Sequence, residues 1–464
     1  MMGIAVVGGG FAAVDLVSEL VKAGRGAQVF SRNPFGEGVA FKDPHGTFFL
    51  NEPPAEMGRR YQEWLRARGY RYGPLDHTPR GLYEEHLKDL AQTLLAQPGV
   101  SFRQHRVANV ALHPSGQGWR ITDADGRQHD HDTVFFCMGH APSDLALRME
   151  EDDLSAGSRR AYASPTALAC AEVDRSVEQS WKTVALIGEG SSTIDALREL
   201  KRRGYEGEIL LVARPRLFPL WTRTPAQFAA AHGGKNYRLQ HLTGRVLKGA
   251  PPARDQILQL LAMEIQTATA QGFSPYNVLA RLKDRMDSPF FAPVAEELLQ
   301  LRSHPMRPED AALLRSRQIK RVKGEVITLI QTPSFQDSGK PGVGLRIRTP
   351  DGTEIYREAD MAICCSPYAR TLVRPDGRMR DPVLDSLWQQ GHIRVKEDGT
   401  LAQVDGRVGA GLYVGGSLGC RPGDPWAVPN FREANERTVR AFLAAEPERA
   451  AAPVTPRLRI PQAA

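Results

Sequence analysis

No Cys-x-x-Cys pair occurs among the five cysteines, Cys137, Cys170, Cys364, Cys365 and Cys420. An odd number at such spacings argues against a redox-active disulfide or a zinc site. It fits a reducing, cytoplasmic setting. No metal site is expected. No apolar run approaches the roughly 18 to 20 residues that a membrane span needs. The first apolar run has no basic stretch before it, so the start does not read as a signal peptide. Charge is not concentrated either. The net charge of +7 is scattered, with small clusters at Lys201-Arg202-Arg203 and Lys320-Arg321-Val322-Lys323. These read as solvated faces and as a field that attracts anionic cofactors, and nucleic acid is not an expected partner. The 464 residues are too many for one compact core, so two or three domains are expected. A hydrophobic fraction of 41% and a charged fraction of 24% place the chain among soluble globular proteins.

What the chain does have is a short apolar run entering glycines, Ile4-Ala5-Val6-Val7-Gly8-Gly9-Gly10, followed by a helical pattern with Val14, Leu16, Val17, Leu20 and Val21 mostly on one face. Gly8 allows a tight turn. Gly10 lets a pyrophosphate approach the backbone, and Ala13 is small enough for the helix to pack close to the strand. The helix start then offers N–H groups and a positive dipole end to phosphates. The second strand, Ala27 to Ser31, ends on Ser31 where such folds usually place a carboxylate for the adenosine ribose. A serine bonds a ribose hydroxyl more weakly.

The pattern recurs. Thr183-Val184-Ala185-Leu186-Ile187 enters Gly188-Glu189-Gly190-Ser191-Ser192-Thr193, and a helix follows to Arg203. Gly188, Gly190, Ser191 and Ser192 are the expected pyrophosphate contacts, with Thr193 in the first helical turn. Here the second strand, Ile209 to Ala213, ends at Arg214-Pro215-Arg216. A guanidinium at Arg214 suits a 2′-phosphate, which a carboxylate would repel. Two glycine turns with different second-strand ends suggest two different dinucleotides.

Between them, Thr133 to Pro142 is an apolar strand ending in Gly139 and His140. Gly139 gives close backbone approach to the first cofactor, and His140 reads as a loop cap before a base. Residues 225–317 read as a helical insertion broken by Pro289, Pro293, Pro305 and Pro308. Asp123-Ala124-Asp125-Gly126 and Asp351-Gly352 read as hairpin turns. Gly411 to Ser417 is another strand ending in glycines. A helix opened by Pro429 and Asn430 runs to Ala445, with a Pro- and Ala-rich tail expected to be disordered after it.

Taken together, these signals resemble the FAD/NAD(P)-binding proteins with two dinucleotide-binding domains, related to flavin-containing and N-hydroxylating monooxygenases. The match covers roughly residues 3 to 445. It implies that Gly36 to Phe41 and Leu50-Asn51 approach the FAD, and it aligns Gly188, Gly190, Thr193 and Asp195 with a Gly-x-Gly-x-x-Thr motif and a later Asp. It aligns Gly415, Gly416, Trp426, Pro429 and Arg432 with the closing pattern. Met138 stands where relatives have Thr, and Cys364-Cys365-Ser366-Pro367 where they often have Cys-Thr-Gly-Pro.

The fold expected is α/β, two Rossmann-like dinucleotide-binding domains with a helical insertion. Residues 1–180 form the first part of the FAD domain and 181–345 the NAD(P)H domain. Residues 346–445 form the second part of the FAD domain, and 446–464 the tail. The expected cofactor contacts are Gly8, Gly10, Ala13, Ser31, Asn51, Gly139, Gly416 and Asn430 for FAD. The helix from Asn430 is expected to aim its N-terminus at the flavin ring. For NADPH they are Gly188, Gly190, Ser191, Ser192, Thr193 and Arg214.

The expected function is an FAD- and NADPH-dependent monooxygenase that uses molecular oxygen on a small molecule, with N-hydroxylation of an amine or amino acid as the subclass the resemblance implies. Alternatives are a non-oxygenating flavin-dependent NAD(P)H oxidoreductase and a catalytically degenerate nucleotide-binding protein. The Phe-x-Gly-x-x-x-His-x-x-x-Trp signature of Baeyer–Villiger enzymes is absent from the sequence. No residue is assigned as catalytic, no membrane partner is expected, and a homo-oligomer is left open.

Overall fold

The computed structural model describes residues 3–451, except 53, 55–56, 73–76, 141, 152–160, 174–177, 215–236, 243–252, 272–277, 279–280, 283–289, 292–293, 295–311, 315, 317, 333–341, 367, 369–370, 398 and 421–427. Strand β1 (Gly3–Val7) is the apolar run that opens the chain, and Ala5 and Val6 are fully buried in it. Helix α1 (Phe11–Lys22) leaves the glycines with Leu16, Val17 and Leu20 inward. The chain then makes β2 (Gln28–Phe30), α2 (Arg59–Ala67), α3 (Arg80–Leu95) and β3 (Ser101–Arg103). The hairpin β4 (Val107–Leu112) and β5 (Trp119–Asp123) follows, and then β6 (Gln128–Phe136).

Beyond these lie helix α4 (Asp144–Glu151), strand β7 (Ala161–Tyr162), helix α5 (Pro165–Ala169), strand β8 (Thr183–Ile187), helix α6 (Ser191–Arg202) and strand β9 (Glu208–Ala213). Helix α7 (Arg254–Ala270) is followed by strands β10 (Ile319–Lys323), β11 (Glu325–Thr332), β12 (Gly342–Arg348), β13 (Glu354–Ala359) and β14 (Met361–Cys364). The chain closes with α8 (Pro382–Gln389), β15 (Arg407–Gly409), β16 (Leu412–Val414) and α9 (Val428–Ala451).

The first sheet runs β15-β16-β6-β1-β2-β3, with the β4–β5 hairpin on β6. From β16 to β3 every pairing is parallel. The register aligns Val7 with Phe30 and Phe136, and Phe136 with Val414. Gly8, Cys137 and Gly415 therefore emerge side by side at one edge. The chain moves from β1 to one side for β2 and returns on the other for β6. The crevice outside the ends of β1 and β6 is thus a topological switch point, where open α/β sheets bind ligands. The fold is mixed α/β with parallel sheets, as the sequence implies.

The second sheet repeats the design. Its order is β10-β9-β8-β14-β7, parallel throughout. Here β8 is central, with Ile187 opposite Val212 on one side and Cys364 on the other. This sheet takes in β7 and β14, so its strands span 161–364, wider at each end than the expected 181–345. The antiparallel meander β11–β12–β13 goes with it, since Val343, Leu345 and Ile347 share a core with Ala185, Leu210 and Ala362. Both hairpin turns expected from Asp-Gly pairs are present, with Gly126 at φ +80 and Gly352 at φ +86.

Most of the expected helical insertion lies outside the described residues. What is described packs α7 through Ile257, Leu261 and Ile265 against Tyr237 and Phe291. The fully buried Glu264 accepts hydrogen bonds there from Tyr237 Oη at 2.5 Å and from the Leu242 N–H at 2.7 Å. Helix α9 continues past Ala445 to Ala451, into the stretch whose composition marks a tail; residues 452–464 lie outside the description.

Candidate functional site

The two glycine turns are built alike, atom for atom. Gly8 has φ +123 and donates its N–H to Phe30 O at 2.8 Å, while the Cys137 N–H reaches Val7 O at 2.7 Å. Gly188 has φ +107 and donates to Val212 O at 2.8 Å, while the Cys365 N–H reaches Ile187 O at 2.7 Å. A Cβ added to Gly8 would sit 2.2 Å from Cys137 O, and one added to Gly188 would sit 2.3 Å from Ser366 Oγ. Positive φ and this crowding both demand glycine. At these two positions the demand comes from the neighbouring strand end.

Gly10 caps α1, its carbonyl accepting from Ala13 and Val14 at 3.1 Å each. A Cβ there would lie 3.3 Å from Gly38 Cα. The Gly36-to-Phe41 loop thus folds back onto the glycine turn, and Gly10 is bare on the side facing that loop. The amides of Phe11 and Ala12 open the helix, and a helix leaves such amides without intrahelical partners. Ala13 is fully buried behind them, in one core with Val6 and Val29. Ser31 Oγ accepts from the Asn33 N–H at 3.2 Å and abuts Gly9, so its hydroxyl already serves its own turn.

In the second unit Gly190 caps α6, and Ser191 and Ser192 lead the helix half-buried. Thr193 is fully buried; its Oγ1 accepts from the Gly190 N–H at 3.0 Å and donates to Gly188 O at 2.9 Å. It shapes the turn from behind. Arg214 is paired with Glu325, Nη2 to Oε1 at 2.5 Å, with side chains 66% and 48% exposed. Arg321 pairs with Glu189, inside the glycine motif, at 2.6 Å. Arg216 and the rest of the segment to Pro219 lie outside the described residues.

Asn51 Oδ1 is buried with no hydrogen-bond partner. Buried acceptors of this kind are rare and call for a partner. The segment carrying it is held by Leu50, whose N–H donates to Thr78 O at 2.9 Å. Gly139 has φ +78, and an added Cβ there would meet nothing within 4 Å. Open space therefore faces the end of β6.

Beyond Gly139, His140 packs its ring 4.9 Å from Tyr368 and 5.5 Å from Phe431, and Pro142 bridges to Tyr368. The segments that follow β6 and β14 therefore meet. Phe431, in the first turn of α9, also lies 6.4 Å from Phe11 at the start of α1. Asn430 is half-buried beside it. Trp426 falls outside the described residues.

The closing glycines are explained by one side chain. Asn435, fully buried, accepts from the Gly416 N–H at 2.7 Å and donates to Ala12 O at 3.2 Å and Asp15 Oδ2 at 2.8 Å. A Cβ on Gly416 would collide with Ala12 Cβ at 2.4 Å. Burial pushes the Asp15 carboxyl up, against the pull of Asn435 and of Arg432, whose Nε lies 3.6 Å away. Arg432 reaches on to Met57 O and to Tyr83 Oη. Sequence reasoning missed Asp15 and Asn435. The available signal was an acid between Val14 and Leu16 on the apolar face of α1.

Burial raises the thiols of Cys137 and Cys365 far above their ordinary value, which removes them as nucleophiles. Among the described residues no cluster of three or more His, Cys, Asp or Glu could hold a metal ion, and no helix is long and apolar enough to cross a membrane.

Residues 5–141 match a family model described as FAD-NAD(P)-binding. The match runs from β1 to just past β6, the N-terminal part of the first unit. No curated protein matches the chain by sequence. Solved structures match over nearly its whole length. One is an ornithine N-hydroxylase of Kutzneria sp. 744, solved with reduced FAD, NADP+ and L-ornithine; identity is 12%, covering 96% of this chain and 100% of that one, with TM-score 0.55. Another is a cadaverine monooxygenase of Erwinia amylovora bound to FAD, from the desferrioxamine biosynthetic pathway; identity is 13%, covering 100% and 99%, with TM-score 0.54. A third is a bacillithiol disulfide reductase of Staphylococcus aureus; identity is 10%, covering 96% and 99%, with TM-score 0.52. What these structures share with the chain is the fold.

Proposed function

We propose that the chain is an NADPH-dependent flavin monooxygenase acting on a small amine or amino acid. FAD is assigned to the first unit and NADPH to the second. The observation that carries the reading is the duplicated glycine turn, with the segments after β6 and β14 joined through Pro142 and Tyr368. A hydride donor at one turn and an acceptor at the other would face a common space.

The residues present suit FAD. The amides of Phe11 and Ala12 and the dipole of α1 favour a pyrophosphate. Asn51 Oδ1 offers a buried acceptor in need of a donor, and Gly139 leaves room for a planar ring. In the second unit the amides of Ser191 and Ser192 serve the other pyrophosphate, and Arg214 serves a 2′-phosphate after leaving Glu325. The first turn of α9 brings positive dipole toward His140 and Phe11, where it would stabilise negative charge on a reduced ring. The flavin itself supplies hydride acceptance and electron delivery to oxygen, while the chain orients it and limits water. His140, Tyr368 and Phe431 form an aromatic wall between the two units, fitted to shield that space.

The test is a screen of amines and amino acids for NADPH and oxygen consumption, with mass spectrometry of the products. One oxygen atom added to substrate per NADPH supports the reading. NADPH oxidation that no substrate stimulates, and that gives only hydrogen peroxide or passes electrons to a non-oxygen acceptor, favours a non-oxygenating oxidoreductase. That second reading rests on the reductase among the structural matches.

A further inference from the structure

Two units that must exchange a hydride need a fixed mutual orientation, and ion pairs fasten the seam between them: Arg380 meets Asp144 at one place, Nη2 to Oδ2 at 3.2 Å, and Arg80 meets Asp195 at another. On the first unit, Arg80 opens α3. Its Nε donates to Phe49 O at 3.0 Å, and its N–H donates to Phe48 O at 2.9 Å. Phe49 stands two residues before Asn51. On the second unit, Asp195 lies in α6, two residues after Thr193. Across the seam Arg80 Nη2 meets Asp195 Oδ2 at 2.8 Å, with side chains only 15% and 4% exposed. Arg198 reinforces the join, its guanidinium 4.8 Å from the Phe49 ring centre and 3.6 Å from Asp195 Oδ1. Further along, His45 Nε2 bonds Ala169 O at 3.0 Å. Beside it a cavity of about 470 Å³ opens, lined by His45 from one unit and Ala171, Glu178 and Arg202 from the other. Between α3 and α6 the Arg80–Asp195 pair and the stacked Arg198 bridge the seam.

We propose that Arg80 and Asp195 are positioning residues that lock the second nucleotide unit onto the first. The lock would register the α6 phosphate site against the Leu50–Asn51 edge of the flavin site. This rests on the two-nucleotide reading given above. The energetics favour a lock that can open. A buried pair in good geometry offsets the desolvation of both ions, and separating the units returns both to water. Removing either partner takes away the 2.8 Å contact that crosses the seam, and the seam relieves the lost pairing by parting. The lock then acts on the rate of hydride transfer, because misplacement by about 1 Å costs on the order of a hundredfold. It acts on the rate more than on the affinity of either nucleotide, since neither side chain supplies a phosphate-binding amide of a glycine turn.

Asp195→Asn, Asp195→Glu, Arg80→Gln and the double variant Arg80→Gln/Asp195→Asn test it. In each, bound FAD, the dissociation constant for NADP+, and the limiting rate of flavin reduction at saturating NADPH are measured. Small-angle scattering is recorded on the nucleotide-free chain. Asp195→Asn and Arg80→Gln should keep FAD occupancy, hold the NADP+ constant within about threefold, and slow limiting reduction by about tenfold or more. The double variant should be no slower than either single change, and Asp195→Glu should recover part of the rate. The radius of gyration should rise in Asp195→Asn and less in Asp195→Glu. A wild-type limiting rate in Asp195→Asn overturns the proposal, and so does a rate loss that merely follows loss of FAD. A wild-type chain that binds neither nucleotide overturns the two-nucleotide reading, and the lock with it.

Discussion

At the scale of single residues, Arg214 is the most exposed part of the account. Its position at the end of β9 and its charge were legible in the sequence. Its partner was not, because Glu325 belongs to a different sheet and lies 111 positions away in the chain. The pair is solvent-exposed, so it contributes little to stability and is readily exchanged. A charge-assisted contact to a 2′-phosphate is worth about 1.5 to 3 kcal/mol, and displacing Glu325 takes the lower end of that range. Arg214→Ala should therefore raise the Michaelis constant for NADPH about tenfold and leave NADH nearly unchanged. Glu325→Gln should lower the NADPH constant, because it removes the competing carboxylate. Equal effects of Arg214→Ala on both coenzymes would refute the assignment.

At the scale of elements, the glycine turns were readable because an apolar β-branched run entering glycines has few other meanings. The reason for each glycine was not. Gly8 and Gly188 answer to neighbouring strand ends, and Gly10 answers to Gly38. The neighbours of Gly8 and Gly188 cannot be identified without the pairing of β1 with β6 and of β8 with β14, nor that of Gly10 without the fold of the loop after β2. The placement of β7 and β14 was equally hidden, since a short apolar strand carries no mark of the sheet it joins.

Helix α9 is joined to α1 by a buried polar network. Asn435 satisfies Gly416 and Asp15 at once, from the far end of the chain. Asn435→Ala leaves a buried N–H and a buried carboxyl without this partner, at about 1 to 3 kcal/mol each. It should lower the thermal midpoint of the first unit and release FAD at lower temperature, as read by flavin fluorescence. Asn435→Asp should be worse at pH 8 than at pH 5, because burial already holds the Asp15 carboxyl above its ordinary value and acid removes the repulsion. Unchanged midpoints would show that the network is not what fastens α9.

At the scale of the whole molecule, the described residues form two parallel sheets with flanking helices, and the segments after β6 and β14 meet at Pro142 and Tyr368. Such a fold admits monooxygenases and reductases alike. What distinguishes the present account is its claim that electrons pass from a nucleotide on Gly188–Thr193 to a flavin on Gly8–Ala13. The most direct measurement is anaerobic mixing of the FAD-loaded protein with NADPH, followed through the flavin's visible absorbance. The account predicts full bleaching with one NADPH per flavin, faster with NADPH than with NADH. A protein that takes up FAD yet keeps its colour under excess NADPH would contradict it.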